Sequence, residues 1–390
     1  MNMKRIEITD RQYGGNEHHE AVRESAAENA RNKGCRADSS LGIFSEIVTA
    51  MRSPFFDYLR SLPAPCGDDL IRHFSARVAR SQGRPVLGEY APFMLCDILG
   101  ISTQKAGEIA VPWLMLYETS ALTDDLADLQ VEDRAKSSFL LQLVFTEAMY
   151  CWKGYLERFP FLWDELRRFQ QEAVCAAYSE LTDTNPKDGW RSSGLAFGRK
   201  PALAKFCASA LCALGCNRRL TQAESEGLDH LCTVVQLLDD VTDSNSDLQL
   251  AQSNYVADTI VCWLRNLRSS AQLHAKDVSN NEAIACLVIS GTLRHVAKLV
   301  VDYTRSGLNL LKVSDHSLTM DYFSSQVKKC ERMVEEERRL WVECADGIAA
   351  TRRALSDSSV AFERYLKTPS GDAVWQNIKK CHSLIPQASQ

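Results

Sequence analysis

Apolar residues along this chain recur at helical spacing. From Leu41 onward, Ile43, Phe44, Ile47, Val48 and Met51 fall three and four apart, which places them on one helix face. Pro54, Pro63 and Pro65 then punctuate the chain. A proline-started helix is predicted through Tyr90, Phe93, Met94, Leu95 and Ile98 to Gly100, and an apolar run follows from Leu114 to Leu122. Amphipathic runs span Phe139 to Tyr155 and Phe161 to Tyr178, with Tyr150, Trp152, Tyr155, Phe159 and Trp163 expected in the core. A loop at 183–193 leads to a helical stretch rich in small residues at 194–215. Further helical patterns are predicted at 255–273, 282–312 and 319–347. No strand alternation of any length appears. Residues 1–40 are polar and lack a sustained apolar period, so a disordered tail is expected there. The expectation is an all-α protein with a single helical domain over 41–390.

Two acidic clusters follow apolar runs of this pattern. The run Leu231-Cys232-Thr233-Val234-Val235 continues into Gln236-Leu237-Leu238-Asp239-Asp240-Val241-Thr242-Asp243, with Asp247 and Ser253-Asn254-Tyr255 beyond it. Upstream, the first apolar run ends in Asp124-Asp125-Leu126-Ala127-Asp128, the same Asp-Asp-x-x-Asp spacing. Residues three and four apart share a helix face, so Gln236, Asp239, Asp240 and Asp243 are expected to form one polar stripe. Such a stripe is costly to bury unless something positive sits on it. Magnesium is a hard cation that takes one or two carboxylates from an element and completes its shell with water and phosphate oxygens. Two facing carboxylate clusters therefore suit a clamp on a diphosphate and its leaving charge. Candidate diphosphate contacts are Arg77, Arg80 and Arg84 before the proline-started helix, Arg134, and Arg199 with Lys200 before Pro201. Arg332, Arg338 and Arg339 are weaker candidates on a face that reads as solvated.

Composition narrows the function classes. A net charge of −5 over 390 residues gives no basic footprint for nucleic acid. No run approaches the ~18 apolar residues of a membrane span, and the first residues lack the apolar segment of a signal peptide, so a soluble, cytoplasmic protein is expected. The fourteen cysteines are scattered singly, as at Cys96, Cys175, Cys207, Cys212, Cys232 and Cys262. They are read as buried reduced thiols, with no zinc-ligand spacing. Glu17-His18-His19-Glu20 is not taken as a metal site, because adjacent histidines point to different helix faces.

The order of elements resembles the trans-prenyltransferase, or polyprenyl synthetase, branch of the class I isoprenoid synthase superfamily. The resemblance covers roughly residues 70–260: an arginine-rich turn, Asp-Asp-Leu-Ala-Asp, a glycine-lysine helix start at Gly198 to Ala202, and Gln236 to Asp243. It implies an antiparallel helical bundle around a central apolar cavity, three magnesium ions, and ionisation of an allylic prenyl diphosphate to a carbocation. It implies that Asp124, Asp125 and Asp128 form the first metal-binding motif and Asp239, Asp240 and Asp243 the second. Gln236 matches the glutamine preceding the second motif, and Lys200 the lysine that contacts the allylic diphosphate. A homodimer is usual in such a family.

The departures point to a sub-class. Chain-elongating members carry Gly-Gly-Lys-Arg-x-Arg-Pro where this chain reads Ala79-Arg80-Ser81-Gln82-Gly83-Arg84-Pro85. The lysine and arginine that grip isopentenyl diphosphate are replaced by Ser81 and Gln82. The paired arginines after the first motif are reduced to Arg134, and the lysine after the second motif is missing. The resemblance thus implies a magnesium-dependent terpene synthase that ionises and cyclises one prenyl diphosphate such as geranyl, farnesyl or geranylgeranyl diphosphate. The alternatives are a polyprenyl diphosphate synthase with an altered second site, a head-to-head condensing enzyme, and a non-catalytic subunit of a heteromeric prenyltransferase. Tyr117, Glu118, Thr119 and Ser120, just before the first motif, are expected at the cavity floor.

Overall fold

A computed structural model describes residues 40–80, 86–127, 133–182, 198–250, 254–269, 273–274, 277–314 and 317–385. The tail expected at 1–40 lies outside these residues but for Ser40, as does the loop expected at 183–193. The described chain is all-helical, without strands among the described residues.

The helices run in order: α1 (Ser40–Ser61), α2 (Cys66–Arg80), α3 (Leu87–Ile98), α4 (Thr103–Glu108), α5 (Ala110–Ala127), α6 (Arg134–Arg158), α7 (Phe161–Thr182) and α8 (Leu203–Cys216). After these come α9 (Gln222–Leu250), α10 (Tyr255–Arg268), α11 (Asn280–Ile289), α12 (Thr292–Leu311), α13 (Leu318–Glu343), α14 (Ala345–Asp357), α15 (Ser359–Leu366) and α16 (Pro369–His382). Local chemistry fixes many of the ends. Asn254 caps α10 by accepting the Ala257 N–H, and Ser279 with Glu282 closes a capping box on α11. Asp97 of α3 accepts from both Ser317 Oγ and Thr319 N, which ties the start of α13 to the first half of the chain.

One hydrophobic cluster extends from Val48 in α1 to Cys381 in α16. Its middle is α8, which is buried from Phe206 to Ala213 on every side, as a helix apolar all round must be. Trp152 of α6 packs edge-on against Phe206 at 4.8 Å and donates its indole N–H to the Pro112 carbonyl at 3.0 Å. The long helix α9 lies against α8, α10 and most extensively α12. Gly227 and Gly307 let α9 and α12 approach closely: a Cβ on Gly307 would sit 2.9 Å from the Gly227 carbonyl oxygen.

Several expectations need correction. The pattern at 282–312 is two helices, broken at Ser290-Gly291 and bent by 61°; Gly291 takes φ +79°, a conformation that interrupts a helix. The helical pattern ends not at 347 but at 382, with α14 to α16 completing the chain. Trp152 and Phe159 are core residues as expected, whereas Tyr150 and Trp163 are exposed. Cys96, Cys207, Cys212 and Cys232 are buried, but Cys175 and Cys262 are on the surface. All thirteen described cysteines are unbridged. No single described helix is long and apolar enough to cross a membrane; α11 and α12 pass that test only as a bent pair, and their apolar faces are in the core.

Candidate active site

The first acidic cluster closes α5. That helix buries Trp113, Leu114, Met115, Leu116 and Leu122, and its hydroxyls are absorbed locally: Thr119 and Thr123 donate to carbonyls one turn back. Asp124 and Asp125 then fall in the last turn, where no basic residue occurs. A helix C-terminus carries partial negative charge, so two carboxylates there are locally unfavourable and call for a cation from elsewhere.

Lys200 supplies one. Its Nζ lies 3.2 Å from Asp124 Oδ1, and its charge also opposes those of Asp239 and Asp243 on α9. The two acidic clusters, more than a hundred residues apart in sequence, thus meet around one lysine. Lys200 is placed by the turn that leads into α8. Gly198 in this turn rests directly on α9, where a Cβ would stand 2.8 Å from the Asp229 carbonyl oxygen and 2.9 Å from the Thr233 nitrogen.

The carboxylates feel one another. Asp239 is exposed, yet the protein mass around it desolvates its charge and, with Asp243 and Asp240 beside it, pushes its pKa up to about 7. Asp124, Lys200, Asp239 and Asp243 share one space, the recess. Asp243 is likewise raised, first by burial and then by Asp124. Tyr117 has its hydroxyl pKa pushed up by burial against the opposing Arg77 charge, and the charges of Glu89, Asp239 and Asp124 add to the rise. Its ring is held by the Arg77 guanidinium at 5.4 Å, by stacked Trp113 at 6.5 Å, and by Gly88, whose missing side chain gives the ring room.

The expected single stripe on α9 divides into two. Asp239 and Asp243 face the recess. Gln236 and Asp240 turn inward: Asp240 is only 5% exposed, its Oδ1 accepts from Gln236 Nε2 at 2.7 Å and its Oδ2 from the Tyr255 backbone N–H at 3.3 Å. Asn254 donates to the Asp240 carbonyl and to Asp247 Oδ2, which seals α9 to the start of α10. Consecutive helix residues point about 100° apart, so of two adjacent aspartates one enters the recess and the other the fold.

The remaining predicted residues scatter. Arg77 is paired with Glu118. Arg134 opens α6 on an exposed turn, and Arg199 is exposed beside Lys200. Arg338 and Arg339 pair with Glu335 and Glu336 on their own helix, and Arg332 is exposed, a solvated face as read from the sequence. Asp128, Arg84, Ser81 and Gln82 lie outside the described residues, as does the side chain of Arg80.

Behind the first cluster the structure adds His73, which the sequence did not single out, and places Glu118, expected at the cavity floor, in a buried pair with Arg77. Glu118 is fully buried, pairs with Arg77, and lies 3.5 Å from His73 Nε2. The same nitrogen is 3.3 Å from Asp125 Oδ2. The available signal was a lone glutamate inside an apolar helix, seven residues before Asp125 and therefore on its face.

Chemically the recess offers hard oxygen donors of the kind that bind magnesium or calcium rather than zinc. Among the described residues no three histidine, cysteine or carboxylate side chains converge tightly enough to enclose an ion alone. An ion there would need oxygens from a ligand or water to complete its shell. No family model, no curated protein and no solved structure matches this chain.

Proposed function

We propose that the chain is a class I terpene synthase of the prenyltransferase-like kind, acting on an allylic prenyl diphosphate with magnesium. The observation that carries this reading is the meeting of Asp124 from α5 with Asp239 and Asp243 from α9 around Lys200. Asp124, Asp125, Asp239 and Asp243 would hold the ions, with Asp128 completing the first motif. Their oxygens fit the donor set, and the carboxyls of Asp239 and Asp243 are raised by burial first and by neighbouring carboxylates second, a cost that a bound cation would relieve. Magnesium, when bound, neutralises the charge that develops on departing diphosphate.

The protein's own groups do the rest. Lys200 exchanges Asp124 for the incoming anion and orients the diphosphate. Tyr117, clamped between Arg77 and Trp113, is a fixed wall. The apolar interior formed by α3, α5, α8 and α9 receives the prenyl chain and keeps water from the cation, whose fate is set by the cavity shape. The isoprenoid synthase bundle and its central cavity belong to this reading. So does a homodimer, for which Phe139, Tyr150 and Trp163, exposed on α6 and α7, would supply apolar contacts.

The test is incubation of purified protein and Mg2+ with geranyl, farnesyl or geranylgeranyl diphosphate, each with and without isopentenyl diphosphate. Hydrocarbon or alcohol from a single allylic substrate supports the proposal and fixes its chain length. Longer diphosphates formed only with isopentenyl diphosphate replace it with chain elongation. No turnover of any of these substrates leaves a non-catalytic subunit as the better reading.

A further inference from the structure

The helix α2 reaches the first acidic cluster through two residues one turn apart, His73 and Arg77, which meet Glu118 and Asp125 two turns apart on α5. The linkage is buried. Glu118 has no exposed surface, His73 Nε2 is enclosed, and Arg77 is covered by the rings of Phe74 and Tyr117 at 5.7 and 5.4 Å. A buried carboxylate without a partner would be costly, and the Arg77 charge offsets it. His73 Nε2 then sits between Glu118 Oε1 and Asp125 Oδ2, at 3.5 and 3.3 Å, ion-pair distances rather than aligned hydrogen bonds.

We propose that His73 is a positioning residue for the acidic cluster: from beside Asp125 Oδ2 it sets the rotation of that carboxylate in the last turn of α5, and thereby leaves Oδ1 to the recess. This deepens the reading above and rests on it, since it assigns that oxygen to the metal-diphosphate assembly. Groups that orient a ligating carboxylate commonly change metal affinity by about 10- to 100-fold when lost. Asp124 has Lys200 on its Oδ1; Asp125 has His73. Each carboxylate of the pair is thus steered by a cation-capable side chain from a different element, α2 on one side and the turn before α8 on the other.

The experiment is titration of the full chain with Mn2+ in the presence of inorganic diphosphate, reading free Mn2+ by electron paramagnetic resonance, alongside thermal melts. In the wild type, binding that needs diphosphate is expected. His73→Leu should weaken Mn2+ affinity about tenfold or more with a melting temperature near that of wild type. His73→Gln, which keeps a donor at the reach of Nε2, should restore affinity to within about threefold. Should His73→Leu fold poorly, His73→Asn decides, because its amide is polar but too short to reach Asp125 and should lose affinity like the leucine variant. Wild-type binding matched by the leucine or asparagine variant overturns the positioning role alone. Equal loss in the glutamine and leucine variants also overturns it. A wild type that binds no Mn2+ with diphosphate overturns the metal-site reading, and the inference with it.

Discussion

Asp239 and Asp240 are chemically identical neighbours with opposite assignments. Asp239 is exposed in the recess with its carboxyl raised to about 7, while Asp240 is spent on Gln236 and the start of α10. Below about pH 4 the Asp239 carboxyl is protonated whether the chain is folded or not. Between there and about 7 the unfolded chain ionises it while the folded chain retains the proton, so this group lowers stability as pH rises. Asp239→Asn without metal should therefore raise the melting temperature at pH 8 and change it little at pH 4.5. An equal shift at both values would remove the argument. Asp240→Ala should instead destabilise by about 1–3 kcal/mol at either pH, because it strands a buried amide donor. On turnover, Asp239→Ala or Asp124→Ala should cost at least a hundredfold with helical content unchanged, measured by diphosphate release and circular dichroism. The sequence displayed the acidic clusters clearly. It did not display which of two adjacent acids faces the recess, since that depends on how α9 is rotated against α12.

The elements were legible where the apolar period was long, as in α5, α6, α7 and α9. They were illegible where one residue overrides the period: Gly291 splits α11 from α12 within a pattern that reads as continuous. The turn before α8 is a subtler case. Gly198 and Lys200 are visible in the sequence, but only the packing of Gly198 on the α9 backbone explains why Lys200 arrives between the clusters. Gly198→Ala should push the turn off α9, costing about 1–3 kcal/mol and lowering turnover more than stability suggests, because the lysine moves with the turn. Kinetics that are unchanged despite a lower melting temperature would separate Lys200 from catalysis.

At the scale of the whole molecule, an amphipathic helix does not reveal whether its apolar side meets its own core or another copy. Tyr150 and Trp163 read as core and prove to be surface. With Phe139, Val174 and Tyr178 they are the exposed large apolar side chains of α6 and α7, and apolar surface of this kind, where contiguous, marks an interaction site. Sedimentation velocity should find the wild type dimeric at micromolar concentration, and Tyr150→Lys with Tyr178→Lys should make it monomeric without loss of helix. A monomeric wild type at that concentration would withdraw the dimer.

Lys200 gives the recess an internal counter-ion. Because that ammonium offsets part of the cluster's charge at rest, a divalent ion arriving alone must compete with a tethered one, and a diphosphate arriving alone meets the carboxylates. Arriving together, each removes the other's obstacle: the ion releases the lysine, and the released lysine turns to the anion. Binding of the two is then mutually reinforcing, with each raising the other's affinity by the same factor. A site of this design would bind free magnesium and free diphosphate esters weakly, and would respond steeply to the presence of the pair.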